Sequence, residues 1–195
     1  MTNYNLFSIP DSEFIRGNVP MTKEEVRALT IGKLRIRPKD IILDIGAGTG
    51  SISIEAALFA KEGIIYSIER KQEGIKLIEK NIKLFNIKNI KLIKGIAPND
   101  LGNVPMVDKV FIGGSGGKIK EIFDWVDDNL KSHGRLVINV ITIENLYKAL
   151  EQIKRRKYKN IEVVQIAVSK GENIGNLTMM KGQNPVYIIS ADKEC

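Results

Sequence analysis

Three glycines at alternate positions, in Leu43-Asp-Ile-Gly-Ala-Gly-Thr-Gly50, constrain this chain more than any other feature. They follow directly on the apolar run at residues 41–45 and precede a helical pattern at 51–60. Glycine lets a backbone turn sharply and lets a ligand lie against bare main chain. The helix N-terminus beyond it offers unpaired N–H groups. A strand, a glycine turn and a helix in that order form the opening of a ligand-binding βα unit.

The rest of the chain repeats that unit. Short, nearly continuous apolar runs at 41–45, 64–68, 90–93, 109–112 and 136–141 read as parallel strands covered on both faces. Helical patterns lie between them at 51–60, 72–85, 118–130 and 143–156; in the second, Ile75, Ile78, Ile82 and Phe85 recur at spacings of three and four. The last third changes rhythm. Residues 161–168 and 185–190 read as two strands joined by a Gly- and Asn-rich connection too short for a helix, and such strands pair antiparallel. Ahead of the first strand, Thr22-Lys-Glu-Glu25 is a capping-box pattern, with Thr22 as N-cap of a helix running to about Leu34. The expected fold is α/β: a mostly parallel sheet with one antiparallel strand at an edge and helices on both faces. Residues 1–195 read as one domain, the segment 1–37 covering the ligand site.

Spacing and charge select the ligand. The dinucleotide fingerprint G-x-G-x-x-G requires glycine at position 51, where Ser51 stands. Asp44, two residues ahead of Gly46, would repel a pyrophosphate at the helix N-terminus and favour S-adenosyl-L-methionine, which carries an ammonium and a sulfonium. Gly46, Ala47, Gly48, Thr49 and Gly50 form the cradle. Glu69, at the end of the second strand, is positioned to accept both ribose hydroxyls. The turn Lys94-Gly-Ile-Ala-Pro98 offers Ile96 and Ala97 to an adenine ring.

These features together, the Asp44-x-Gly-x-Gly-x-Gly50 loop, Glu69 and the 95–98 turn, resemble the class I methyltransferases. A narrower resemblance runs over nearly the whole chain. Ile9-Pro-Asp-Ser-Glu-Phe14, Pro20-Met-Thr-Lys-Glu-Glu-Val-Arg27, Val110-Phe-Ile-Gly-Gly-Ser-Gly-Gly117, Thr178-Met-Met180 and Asn184-Pro185 are similar to the decarboxylating C15-methyltransferases of cobalamin biosynthesis. That resemblance implies a Rossmann-like sheet of seven strands and S-adenosyl-L-methionine as cofactor, with Thr22 among its contacts. It also implies a tetrapyrrole substrate, cobalt-precorrin-6B, carrying several carboxylates, a homotetramer, and a fused or partner enzyme of the same pathway. One departure is Glu69, where some relatives carry Asp; either can hold a ribose.

In such a reaction the macrocycle supplies nucleophile and electron sink, so the protein contributes chiefly positioning. The chain offers no obvious nucleophile–base pair: His133 reads as a turn residue before a strand and Cys195 as a terminal thiol. No catalytic residue is therefore named. Gly113, Gly114, Ser115 and Gly116, at the C-terminal end of a parallel strand, permit close approach by a flat ligand, and Gly117 completes the loop. Asn139 and Thr142 are further candidates to line that pocket, with Arg16 and Lys23 as carboxylate partners.

Composition narrows the setting. At 195 residues with 43% hydrophobic and 27% charged content, the chain is an ordinary soluble protein. It has no apolar run of the roughly 20 residues a membrane span needs. The N-terminus lacks a secretory pattern, and one cysteine and one histidine exclude disulfides and clustered metal sites, so a cytoplasmic setting without metal is expected. The charge of +7 and pI near 9.4 fit scattered surface lysines or an anionic partner. They leave an RNA (tRNA) methyltransferase as one rival, although Gly113-Gly-Ser-Gly stands where base-methylating enzymes carry an Asn/Asp-Pro-Pro-aromatic turn, and nucleic acid is not the expected partner. A non-catalytic S-adenosylmethionine-binding assembly protein is a second rival. A third, an NAD-linked oxidoreductase, is disfavoured by Asp44 and Ser51.

Overall fold

The computed structural model describes residues 8–194; the terminal thiol Cys195 lies outside them. The strands β1 (Ile41–Ile45), β2 (Ile64–Glu69), β3 (Ile90–Lys94), β4 (Val107–Ile112), β5 (Leu130–Val140), β6 (Tyr158–Ile166) and β9 (Val186–Lys193) form one seven-stranded sheet. Its order is β3-β2-β1-β4-β5-β9-β6. The pairs from β3 to β5 are all parallel, and β9 runs antiparallel to both neighbours. The sheet is thus mostly parallel with one antiparallel strand, as the apolar runs imply. That strand sits one place in from the edge rather than on it: β9 inserts between β5 and β6 and bonds to both.

The pleat explains why the parallel strands read as continuous apolar runs. In β1, Leu43 and Ile45 face one core and Ile42 the other; in β4, Val110 and Ile112 oppose Phe111; in β5, Leu136 and Ile138 oppose Val137. Helices α4 (Ile119–Asn129) and α5 (Ile143–Lys154) cover the first face with Ile122, Phe123, Val126, Ala149 and Ile153. The second is covered by α1 (Glu24–Leu34), α2 (Ser51–Phe59) and α3 (Gln72–Leu84). No helix among the described residues is long and apolar enough to cross a membrane.

Three local features depart from the sequence reading. Helix α1 starts at Glu24 with Lys23 at the N-cap, and no side chain caps it. Thr22 offers its backbone carbonyl to the Arg27 guanidinium at 2.6 Å, and Glu25 pairs with Lys170 at 2.7 Å, so a tertiary contact takes the Glu25 half of the capping box. Residues 169–182, expected as an irregular connection, instead form an exposed hairpin, β7 (Ser169–Ile174) and β8 (Leu177–Gly182), turning at Gly175 with φ +61°. His133 lies within β5 at φ +61°, beside the point where pairing with β4 shifts register.

Arg27 ties the chain ahead of the sheet to the fold. Its fully buried guanidinium donates to Glu55 at 2.5 Å, to Asp11 at 3.0 Å and to the carbonyls of Thr22 and Ile9. Asn81 of α3 adds reciprocal bonds to Ile15, accepting from its N–H at 2.9 Å and donating to its carbonyl at 3.1 Å. These bonds hold residues 19–23 across the C-terminal end of β1.

Candidate functional site

The loop after β1 turns through three left-handed glycines, Gly46, Gly48 and Gly50, at φ +73°, +60° and +80°. A side chain there would be strained, and at Gly46 it would also collide. A Cβ on Gly46 would lie 2.6 Å from the Gly114 carbonyl oxygen and 2.8 Å from its nitrogen. The second glycine loop, after β4, is pinned against the first: Gly113 and Gly114 both donate their N–H to the Ile45 carbonyl, at 2.9 and 3.3 Å. Two bare backbones thus meet at the carboxyl ends of adjacent parallel strands, where open α/β sheets bind ligands.

Two adjoining hollows open on either side of this contact. The smaller, about 310 Å³, is lined by Glu69, Arg70, Gly95, Ile96, Ala97 and Gly116. The larger, about 720 Å³, runs past Thr22, Gly46, Ala47, Gly48 and Asn139. Gly113, Gly114 and Ser115 border both.

Glu69 is 6% exposed and holds its end of the smaller hollow by its own backbone bonds. One carboxylate oxygen accepts from Gly48 N–H at 2.8 Å, the other from Arg70 and Lys71 N–H at 2.9 and 2.8 Å. Three acceptor directions of roughly four are thereby used, which fixes the carboxylate at the rim of the glycine loop.

Asp44, Thr49 and Gly50 line neither hollow; they lie behind the loop. Asp44 is 1% exposed. One of its oxygens accepts from Ser53 Oγ at 2.5 Å, and Ser53 Oγ is itself 2.5 Å from Ser67 Oγ. The other, Oδ1, is buried without a partner, as is Thr49 Oγ1. Burial pushes the Asp44 carboxyl up to about 7; the Ser53 hydrogen bonds oppose this, and the negative charge of Glu69 adds to it. An unsatisfied carboxylate oxygen beneath a glycine cradle fits a cation at the loop and does not fit a pyrophosphate.

Asn139 borders the larger hollow at the end of β5. Its orientation follows from a relay: Thr30 Oγ donates to the Val26 carbonyl at 2.7 Å, so it can only accept from Asn139 Nδ2, at 2.8 Å. Asn139 Oδ1 is left without a partner.

Two of the expected carboxylate and pocket residues fall elsewhere. Arg16 is exposed and borders neither hollow. Thr142 caps α5, its Oγ accepting from Asn145 N–H at 3.3 Å. Lys23 does line the larger hollow, 3.9 Å from an Asp11 oxygen. Sequence reasoning missed Lys148 on α5 and Lys170, Lys181 and Gln183 on and beside the hairpin, which complete the outer wall. The usable signal was Gly175-Asn176 between Ile174 and Leu177, a two-residue hairpin turn.

Comparison with known proteins agrees with this architecture. Residues 13–193 match the family model described as a precorrin methyltransferase domain. The chain is 40% identical to the cobalt-precorrin-6B C(15)-methyltransferase (decarboxylating) of Salmonella typhimurium, over 94% of this chain and 95% of that protein. The crystal structure of precorrin-6y C5,15-methyltransferase from Geobacter metallireducens superposes with a TM-score of 0.91 at 41% identity, covering 96% and 98% of the two chains. A precorrin-8w decarboxylase structure from Methanobacterium thermoautotrophicum gives 0.88 at 32% identity, over 94% and 98%. With its paired glycine loops, its buried carboxylates and this sheet order, the chain belongs to the precorrin methyltransferase family.

Proposed function

We propose that this protein uses S-adenosyl-L-methionine to methylate cobalt-precorrin-6B at C15, with loss of carbon dioxide from an acetate side chain. One observation carries the reading: two hollows of unequal size meet at the Gly46–Gly114 contact, so a donor in the smaller and a flat acceptor in the larger would touch across bare backbone. The bound cofactor supplies an electrophilic methyl group on a sulfonium.

The chain's own residues hold and orient. Glu69 accepts from the ribose hydroxyls, exchanging the Gly48 N–H or using its remaining acceptor direction. Ile96 and Ala97 pack on the adenine. Gly46 to Gly48 and Thr22 border the methionine end, and Asp44 behind them, when ionised, favours its ammonium. Gly113 to Gly116 allow the ring to approach closely, and Asn139 borders the same hollow at the end of β5. Among the described residues, the larger hollow is bordered by no His or Cys and by one acid, Glu172, so positioning rather than a strong base accounts for the rate, and alignment of the reacting atoms can be worth up to about 7–11 kcal/mol.

Self-association into a homotetramer belongs to the same reading. Ile174 and Leu177, paired at the tip of the hairpin beyond the cleft, are both more than half exposed.

Incubation with S-adenosylmethionine and cobalt-precorrin-6B, followed by mass spectrometry, tests the proposal. The expected product has gained a methyl group and lost carbon dioxide. An unchanged macrocycle, under conditions where calorimetry shows the cofactor bound, overturns it.

A further inference from the structure

The charge on the outer wall of the larger hollow is one-sided. Lys23 from the N-terminal segment, Lys148 from α5, and Lys170 and Lys181 from the hairpin all border it; among the described residues bordering it, Glu172 is the one acid. Three separate parts of the chain therefore bring lysines to one volume.

Within the hairpin the arrangement is locally unfavourable. Lys170 and Lys181 are register partners, and like charges directly opposite across an antiparallel pair repel. Strand alternation puts Glu172 and Met179 on the same face, and Glu172 lies 3.2 Å from Lys181. Lys170 is held 2.7 Å from Glu25 at the start of α1. Both ion pairs are open to water, with side-chain exposures of 42% and 39% in one and 71% and 55% in the other. Such pairs contribute little to stability, so an incoming anion can take either lysine from its acid cheaply. A repulsive lysine pair that faces a cleft, and is neutralised only by exchangeable acids, serves binding better than folding.

We infer that Lys170 and Lys181, with Lys148 facing them from α5, form a carboxylate clamp that holds the peripheral acid groups of a flat macrocycle over the Gly113–Ser115 loop, displacing Glu25 and Glu172 as it binds. The inference deepens the function proposed above and rests on it for the identity of the macrocycle. The clamp positions the ligand and takes no part in bond making.

The test separates the two. Uroporphyrin, a porphyrin bearing acetate and propionate groups, is titrated into the full chain with fluorescence quenching as readout, while cofactor affinity is followed by calorimetry. The Lys170→Gln, Lys181→Gln double variant is expected to bind uroporphyrin about ten-fold more weakly, and to retain wild-type cofactor affinity. The wild-type affinity falls with added salt, and the double variant loses most of that salt dependence. Glu172→Gln is expected to bind more tightly by a few-fold, a gain that a purely structural role for the hairpin would not produce. A charge-matched control, Lys120→Gln with Lys154→Gln, leaves binding unchanged. Equal uroporphyrin affinity in wild type and the Lys170, Lys181 variant overturns the clamp, as does failure of the wild type to bind uroporphyrin at low salt. Methyl transfer to cobalt-precorrin-6B reports on the function alone: its absence from a wild type that binds uroporphyrin through these lysines leaves the clamp standing and overturns the assigned substrate.

Discussion

The two walls of the larger hollow are built by opposite means. The inner wall is backbone: Gly46 against Gly114, tied through the Ile45 carbonyl, with Asp44 and Thr49 sealed behind. The outer wall is side chains on an exposed hairpin, joined to the body by Lys170–Glu25 among other contacts. The main-chain wall has no tolerance at Gly46, where an added carbon meets the fixed backbone of Gly114. A wall of long charged side chains can rearrange at little cost. The pairing suits a site that must hold a small donor of fixed shape and admit a larger acceptor.

The sharpest way to break this contrast is Gly46→Ala. The added carbon would sit 2.6–2.9 Å from Gly114 backbone atoms in a left-handed conformation. The expected loss is about 2–4 kcal/mol of stability, read by chemical denaturation, with cofactor binding lost in calorimetry. Retention of both would show that the two loops move apart freely, and the distinction between the walls would fail.

A smaller effect should come from Asp44→Asn, and it depends on pH. The folded-state carboxyl is raised from its ordinary value of 3.8 to about 7. A carboxyl raised on folding contributes stability at acid pH that is lost as pH rises through the folded value. Wild type should therefore lose stability between about pH 4 and 8 from this group, and the Asn variant should show a flatter profile of thermal midpoint against pH. Cofactor affinity should move the other way in wild type, rising through pH 7 as Asp44 ionises, and be weaker and nearly pH-independent in the variant. An unchanged stability profile would place the Asp44 carboxyl in its ordinary range.

The smallest effect belongs to the outer wall. Thr178 Oγ donates to Asn173 Oδ1 at 3.0 Å on the exposed hairpin. Thr178→Ala should change stability by no more than about 0.5 kcal/mol in denaturant. A loss several times larger would mean that the hairpin is as rigidly specified as the glycine loops.

The same contrast decides what could be read from the sequence. The inner wall announces itself because alternate glycines after an apolar run have few other uses, and β1, β2 and β4 read correctly because both faces of each are buried. The capping box at Thr22–Glu25 misled because the partner of Glu25, Lys170, comes from far along the chain. The position of β9 was illegible for a related reason: local pattern reports that 185–190 is a strand, not which two strands it enters between. Lys148, Lys170 and Lys181 were hidden among the 30 Lys and Arg residues of the chain, since only the hairpin's register brings two of them to one face. Asp44 was legible as an acid beside the glycines, but its burial and its bond to Ser53 were not.

The place of β9 also bears on the order of assembly. Its residues Ile188, Ile189, Ser190 and Ala191 are buried between β5 and β6, so β6 has no sheet to join until they arrive. During synthesis, the strands from β1 to β5 can associate as they emerge, while β6 and the hairpin must wait on one side of an unfilled slot. Closing that slot joins segments far apart in the chain, from Val140 with Tyr187 to Arg135 with Asp192, and non-local pairings of this kind are slow to form. The outer wall of the cleft is thus expected to be the last part of the molecule to form, after the cradle that it faces.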